Sequence, residues 1–556
     1  MSTRRKKIFI LLGVILAIGI AQAAVYQASE PFFNNDETRH VMTGVYFRDA
    51  LHDLPVRSLR DYTIKYFLQY PALGLLVWPP FFYFVEGLWM SIFGTSLIMA
   101  KALIGFFAAL ACVYLFRLVC RTHDVTRAAI AVLIFGLAPL VFEFSHYVML
   151  EVPTLALALA ASYYFIRYLE REQRRDLLYA GLTSALAALT RFDAVYLILL
   201  FAILLIARKR LSLLWRRDSI LVAALALLLV LPSYALTAMG VGWVHVKYAT
   251  EHSSHYPTFL SFERLFFYPA SLPQQISWWA LIPALIGLVW NLTTARRRAS
   301  SLPYFATILA TYLTFTPLGE MEPRHAIYWI PAFALFAADG LWFAANHLRA
   351  PKFYLPLTML ALAGIAWSAL AKPYFFVRGY EDAARYVLAN SRNSPYCLFV
   401  GKLNGDFIYQ LRRYDSDRRF WLLRADKLLF SVLIEPSVEY KQIAANDQDI
   451  LDVIYKYDPE FIVAEEPPPL NPSSASIPIP IEEQLRAASE EHIRTIINNH
   501  PERFQLEKVI AVNSNDPGFR GMQLKLFRNT LRNEHPERRL DVEILMLRRS
   551  VQTIVP

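Results

Sequence analysis

Cysteine is almost absent: three residues in 556, Cys112, Cys120 and Cys397, with no metal-ligand spacing among them. Only Cys397 lies in the polar C-terminal part, so that part can form no disulfide of its own. No Gly-rich phosphate loop of the P-loop or dinucleotide type occurs, which leaves ATP-driven chemistry unsupported. Charged residues make up only 18% of the chain. The net charge of +10 points to topology rather than to nucleic acid, because the basic residues sit in short clusters between apolar runs.

What fills the chain instead is apolar: 56% of residues are hydrophobic, gathered into runs of roughly bilayer-spanning length. This is the composition of a polytopic α-helical membrane protein. "STRRKK" before the first apolar run keeps the N-terminus cytoplasmic and sends the following loop outside. "AQA" at 21–23 resembles a signal-peptidase site, although a run of about 19 residues is long for a signal h-region. Basic clusters at 117–127, 167–176, 208–218, 295–300 and 346–352 are expected in the cytoplasm. Parity then makes "YPALGLLVWPPFFYFVEGLWMSIFG" a Pro-broken, aromatic segment at the outer interface rather than a span.

About eleven transmembrane helices follow, near 8–26, 95–117, 126–143, 152–168, 176–190, 194–208, 219–238, 277–291, 302–317, 325–345 and 353–371, with interfacial helices in the first external loop. Residues 1–372 are expected to form the membrane domain. Residues 373–556, richer in charge, are expected to form a soluble α/β domain on the external, periplasmic side of a plasma (bacterial inner) membrane. There "GYEDAARYVLAN" has helical spacing, "YCLFVG", "EFIVAEE" and "GMQLKLFR" read as strands, and residues 467–481 form a Pro-rich loop.

This topology collects charged residues on the external face: Asp36, Glu37, Arg39 and His40; Glu143, His146 and Glu151; Arg191 and Asp193; His245, Lys247, Glu251, His252 and His255; and Glu320, Glu322, Arg324 and His325. Charges at helix mouths are costly unless paired or facing a cavity. Bland alternatives stand beside each: Arg191 and Asp193 can pair with each other, Glu151 can serve as a helix N-terminal charge ahead of Pro153, and Arg324 can be an interfacial anchor. The histidine-rich loop matches no standard metal spacing.

The acidic pair in "NDET", the segment "WPPFFYF", and the motifs "SHYVMLEVP", "LTRFD" and "EPRHAIYWIPAFALF" resemble, in order and common side, the C-type glycosyltransferases. The likeness is to the protein O-mannosyltransferase and lipid A aminoarabinose transferase family with its family 39 bacterial relatives, and it covers about residues 8–372. It implies a membrane enzyme that moves a hexosyl or pentosyl group from a polyprenyl-phosphate carrier to an acceptor hydroxyl on a lipid, glycan or protein. By the resemblance, Asp36 is the aspartate at the acceptor nucleophile, Glu37 its acidic neighbour, Glu151 the second-loop carboxylate, and Arg324 the residue on the carrier phosphate. Two departures bear on sugar and acceptor: Val77-Trp78 stands where the aminoarabinose transferase has an acidic and a basic residue, and the late motif reads "PRHAIYW".

The chemistry fits the residue types independently. A sugar phosphate ester already carries its leaving group, so transfer needs a base at the attacking hydroxyl and positive charge at the departing phosphate. Asp36 can supply the first, and Arg324 with His325 or Lys247 the second. One carboxylate and a single displacement predict inversion. His146, Arg191 and Glu322 are further candidates for substrate binding. Beyond the lipid-linked donor no cofactor is called for; a divalent metal stays open. Besides donor and acceptor the expected partners are membrane lipids, not nucleic acid. A membrane transporter and a non-catalytic envelope assembly protein are the rival readings.

Overall fold

The computed structural model describes residues 3–25, 35–241, 261–318, 321–347, 351–433, 439–444, 446–467 and 481–530. Helices occupy all eleven of the expected stretches: α1 (Thr3–Val25), α5 (Leu97–Thr122), α6 (Val125–Leu137) with the short α7 (Pro139–Phe144), α8 (Glu151–Arg171), α9 (Arg174–Ala188), α10 (Tyr196–Ala207), α11 (Arg217–Val241), α13 (Trp278–Leu292), α14 (Ala295–Phe315), α15 (Ile330–His347) and α16 (Tyr354–Leu370). Among the described residues five apolar helical segments are long enough to cross a bilayer, including Leu97–Thr122 and Glu151–Arg171. The chain is thus a multi-pass membrane protein. An unexpected helix, α12 (Phe262–Ile276), precedes α13. Lys247 and the histidines of its loop, Glu320, and nearly all of the Pro-rich loop lie outside the described residues.

Between α1 and α5 the chain forms α2 (Asn35–Asp53), α3 (Leu59–Gln69) and α4 (Phe81–Phe93). Pro79-Pro80 stops any helix from running through, and α4, at 13 residues, is about 20 Å long, short of a bilayer core. α2 and α4 cross at Gly87, where a Cβ would come within 2.7 Å of Phe47 Cβ and 2.8 Å of the Arg48 nitrogen. A closer crossing joins α13 to α15: a Cβ on Gly287 would lie 1.8 Å from the Phe336 carbonyl oxygen, and one on Gly340 1.9 Å from that of Pro283. Small residues here replace side-chain packing with backbone contact, as membrane helices commonly do.

Charge separates along the helices. α8 begins at Glu151 and ends with Glu170 and Arg171, so its ends are about 30 Å apart. At the far end the basic clusters gather: Arg121 pairs with Glu170, Arg167 with Asp176 at 3.0 Å, Arg210 and Arg216 with Glu172, and Arg174 with Asp218 at 3.4 Å. Deeper on that side the carboxylate of Asp339 accepts from Arg127 at 3.2 Å and from Asn291 at 2.9 Å.

From residue 377 a sheet appears. Five strands run in the order β3 (Trp421–Arg424), β2 (Tyr396–Val400), β6 (Phe461–Glu466), β9 (Gln523–Asn529) and β7 (Phe504–Ala511). β2 is parallel to both neighbours, whereas β6–β9 and β9–β7 are antiparallel. Every residue of β2 is buried, which is why it reads as an unbroken apolar run. The strands expected in "YCLFVG", "EFIVAEE" and "GMQLKLFR" are β2, β6 and β9, and the expected helix is α17 (Tyr380–Asn390). Two further pairs, β1 (Val377–Arg378) with β8 (Asn513–Ser514) and β4 (Phe430–Leu433) with β5 (Glu439–Gln442), flank the sheet. Among the described residues this part also contains the helices α18 (Asn404–Tyr414), α19 (Ala425–Leu428), α20 (Asp447–Tyr457) and α21 (Ile481–Asn499).

This part is docked on the first-loop helices. Arg412 of α18 donates to Asp49 of α2 through Nη2 at 2.5 Å and Nε at 3.2 Å, while Tyr66 of α3 donates to the same carboxylate oxygen at 2.7 Å. Arg418 pairs with Asp53, Gln69 donates to the Arg418 carbonyl at 2.5 Å, and Tyr409 donates to the Thr95 carbonyl at 2.8 Å.

Candidate active site

At the end of the bundle away from the basic clusters, four elements converge: the start of α2, the start of α8, the turn between α9 and α10, and the 3-10 turn Pro323–Trp329 before α15. The last is held from the side by Gln275 of α12, which donates to the Pro323 carbonyl at 3.1 Å and accepts from Trp329 Nε1 at 2.7 Å. The start of α4 is tied to α9 by the Phe81 amide, which donates to the Leu189 carbonyl at 2.9 Å.

Glu151 is the centre. It is buried, and one carboxylate oxygen, Oε1, faces both Arg191, in direct hydrogen-bonding contact, and Arg324, at 3.6 Å. Arg191 also donates to Asp193 at 2.7 Å, and Arg324 pairs with Glu322. The expected Arg191–Asp193 pair therefore forms, but as part of a larger network. A carboxylate neutralised by two guanidinium groups is a poor base; the geometry makes Glu151 the residue that holds two cations side by side. Its other oxygen, Oε2, has no hydrogen-bond partner among the described residues.

The neighbouring carboxylates Asp36 and Glu37 face different ways. Successive helical residues point about 100° apart, so only one can look into the recess. Asp36 does: its side chain is 38% exposed and pairs with Arg39 at 3.6 Å. Glu37 is fully buried and accepts from the Val148 amide at 2.9 Å, fixing the loop that precedes α8. One turn on, His40 bonds Tyr83 Oη at 2.7 Å and packs edge-on against Trp78. Burial lowers its imidazole to about 4, so it is neutral near pH 7. His40 lies within Coulombic range of Asp36, Glu151, Arg191 and Arg324, which makes these groups one cluster.

The remaining candidates divide. His325 is buried beside the cluster with its ring parallel to Phe315, 6.2 Å between centroids. His146 faces elsewhere: its nitrogens lie 2.7 Å from the Phe142 carbonyl and 3.2 Å from that of Gln22, and its ring packs against Phe142 and Tyr374. That placement ties α7 to α1 rather than offering His146 to a substrate. Lys247 lies outside the described residues. Among the described residues no group of three His, Cys, Asp or Glu side chains is arranged to hold a metal.

Sequence reasoning missed Gln275, Tyr83 and Tyr328. Tyr328 stacks on Tyr196 at 4.5 Å and lies within Coulombic range of Arg191, Asp193 and Glu151. Gln275 had a signal, a polar side chain within "SLPQQISWW" at a helix mouth; the tyrosines were hidden among the chain's 30. A cleft of about 460 Å³ between the start of α5 and α17, lined by Arg378, Tyr380 and Arg413 among others, shares no residue with this cluster.

Residues 77–236 match the family model described as dolichyl-phosphate-mannose-protein mannosyltransferase. No curated protein sequence matches the chain. Among solved structures, ArnT from Cupriavidus metallidurans bound to undecaprenyl phosphate superposes with a TM-score of 0.60 at 12% identity, covering 94% of this chain and 99% of that one. The apo oligosaccharyltransferase of Archaeoglobus fulgidus gives 0.53 at 14% identity, over 82% of this chain and 69% of its own. The arabinofuranosyltransferase AftD from Mycobacteria gives 0.51 at 14%, over 96% of this chain and 40% of its own. The resemblance read from the motifs thus has a counterpart in both a family signature and the fold, that of the C-type glycosyltransferases.

Proposed function

We propose that this chain, built on the C-type glycosyltransferase fold, transfers a sugar from a polyprenyl-phosphate donor to an acceptor hydroxyl at the external membrane face, residues 1–372 forming the catalytic membrane domain and residues 373–556 an external domain. The observation that carries the reading is the juxtaposition of an accessible carboxylate, Asp36, with two guanidinium groups held together by Glu151. The acceptor oxygen attacks the anomeric carbon while its proton passes to Asp36. The bond from that carbon to the phosphate oxygen breaks on the opposite side, and the polyprenyl phosphate leaves with the bonding electrons. Arg324 and Arg191 take up its growing negative charge, which is where fixed cations lower a barrier most. A single displacement inverts the anomeric centre.

Glu151 and Glu37 act in this scheme as positioning residues. Glu151 keeps two like charges adjacent before any phosphate arrives, and Glu37 sets the α8 approach through Val148. The fold relatives support a lipid-phosphate donor: ArnT was crystallised with undecaprenyl phosphate.

The test is transfer of label from a polyprenyl-phosphate sugar in membranes carrying wild-type protein or Asp36→Asn, at matched amounts of folded protein. Loss of a general base is expected to slow turnover roughly 10²–10⁴-fold. Equal turnover removes Asp36 from the reaction, and uptake of sugar without transfer replaces the enzyme with a transporter.

A further inference from the structure

The cleft of about 460 Å³ between the start of α5 and α17 is of the size that holds small ligands, about 300–1,000 Å³. One contact sets its shape: Tyr409 of α18 donates to the Thr95 carbonyl at 2.8 Å, which brings α18 against the chain just ahead of α5. Gln410, next in α18, and Arg413, nearly a turn further, share the wall with Ser96 and the first residues of α5. Arg378 of β1 and Asp382 of α17 close it from the side.

The groups lining the cleft are of two opposite kinds. On one side are donors. Ser96 makes no side-chain cap for α5, so the Leu97 and Ile98 amides hold the orphan positions of a helix N-terminus, and neither has a partner among the described residues. Arg413 forms no hydrogen bond or ion pair among the described residues; its guanidinium lies over the Tyr414 ring, 5.0 Å from the centroid. Arg378 adds a second guanidinium, over the Phe376 ring at 4.7 Å. A helix start beside two arginines favours a phosphate. On the other side are acceptors. Gln410 is 3% exposed, and its Oε1 has no hydrogen-bond partner among the described residues, a cost unless something in the cleft donates to it. The exposed Asp382 carboxylate has no partner among the described residues either. Glu381 is already taken, by Arg385 at 2.9 Å and Tyr414 at 2.5 Å.

A ligand that suits both sides carries a phosphate and, a few bonds away, a positively charged N–H donor. The rim of the cleft says where it comes from. α5 is long enough to span a bilayer, so its first turn lies at headgroup depth. Ile98 lines the cleft and is itself exposed. Trp89 of α4 donates to the Met99 carbonyl at 2.8 Å, which sets the end of α4, with exposed Ile92 and Phe93, against the same end of α5. A free solute has no use for that apolar rim, whereas acyl chains do. We propose that the cleft holds the headgroup of an ethanolamine phospholipid of the surrounding bilayer, its phosphate on Arg378, Arg413 and the α5 amides and its ammonium on Gln410 Oε1 and Asp382. The two walls come from the membrane part and the C-terminal region, so the bound lipid ties one to the other. The inference stands apart from the transferase reading, because the cleft shares no residue with the Glu151 cluster.

Native mass spectrometry of the full chain, titrated with dioleoyl phosphatidylethanolamine, phosphatidylcholine and phosphatidylglycerol, tests it. Choline keeps the phosphate but has no N–H to donate, and glycerol has no ammonium. Wild type should bind the ethanolamine lipid at least tenfold more tightly than either of the others. Arg413→Gln should weaken that binding about tenfold, the loss of a charge-assisted phosphate contact. Asp382→Asn, at an exposed position, should erase the advantage over the glycerol lipid. Equal binding of the three lipids by wild type overturns the assignment, and this ranking decides even if Arg413→Gln folds poorly. An ethanolamine preference that survives both substitutions overturns it as well. Soluble O-phosphoethanolamine competing as well as the lipid overturns the bilayer source, and displacement of the ethanolamine lipid by equimolar undecaprenyl phosphate gives the cleft to the sugar carrier instead.

Discussion

Replacing Arg412 by Gln should loosen the C-terminal region from the membrane part without unfolding either. Asp49 and Arg412 have side chains only 4% and 6% exposed, and the carboxylate receives two bonds from the Arg412 guanidinium and one from Tyr66 on one oxygen, and one from the more exposed Arg48 at 3.0 Å on the other. Asp49→Asn leaves the Arg412 guanidinium buried without a carboxylate, at a cost of about 3–5 kcal/mol, or roughly two to three and a half orders of magnitude in the docking equilibrium. Arg412→Gln should cost less, because Arg48 still pairs with the Asp49 carboxylate at 3.0 Å. The double variant Asp49→Asn/Arg412→Gln should cost clearly less than the two singles together, since neither leaves a lone charge. Hydrogen exchange followed by mass spectrometry reads this directly: α2, α3 and α18 should exchange faster while β2 and β6, inside the sheet, stay protected. Additive single effects, or global loss of protection in Arg412→Gln, would refute the argument that this pair is a local clamp.

Gly287→Ala should be among the most destabilising single methyl additions in the chain, because its Cβ would sit 1.8 Å from a backbone oxygen that cannot rotate away; a thermal melt in detergent unchanged from wild type would contradict the crossing. Arg324→Ala should weaken donor use and slow transfer, with Arg324→Lys recovering only part, since lysine keeps charge but not the planar fork; rate per folded molecule against carrier concentration measures it, and equal rates return Arg324 to an interfacial anchor. Glu490 has a folded pKa raised from the ordinary 4.5 to about 8, so the stability tied to its protonated form is present below pH 4.5 and is lost as pH rises through 8. Glu490→Gln should accordingly melt higher than wild type at pH 8 and show a flatter dependence between pH 5 and 8.

Much of the helical part was legible because bilayer-length apolar runs and basic loop clusters are one-dimensional signals. The Pro79-Pro80 break and the start of α8 at "LEVPT" are read from residue types alone. Orientation around a helix axis was not legible in the same way. Asp36 and Glu37 look like a pair in the chain, yet one faces the recess and the other Val148, since the rotation of α2 is decided by what packs on it at Gly87 and Asp49. Three strands of the sheet could be read from their apolar runs, but their order could not: β6 lies between β2 and β9 because of chain crossovers that leave no local mark. The second cation of the Glu151 network, from a residue 173 positions later, could be put on the same face by topology, but its contact with Glu151 left no mark in the sequence.

α2 is fastened at both ends, by Glu37 to the loop ahead of α8 and by Asp49 to Arg412 of α18. The two anchors are 12 residues apart, a rod of about 18 Å at helical rise. Between these anchors His40 bonds Tyr83 and α4 crosses at Gly87, so α2 is held along its whole length and the position of Asp36 is tied to that of the C-terminal region. Deleting one residue between the anchors would turn one end by about 100° relative to the other and set the two attachments against each other.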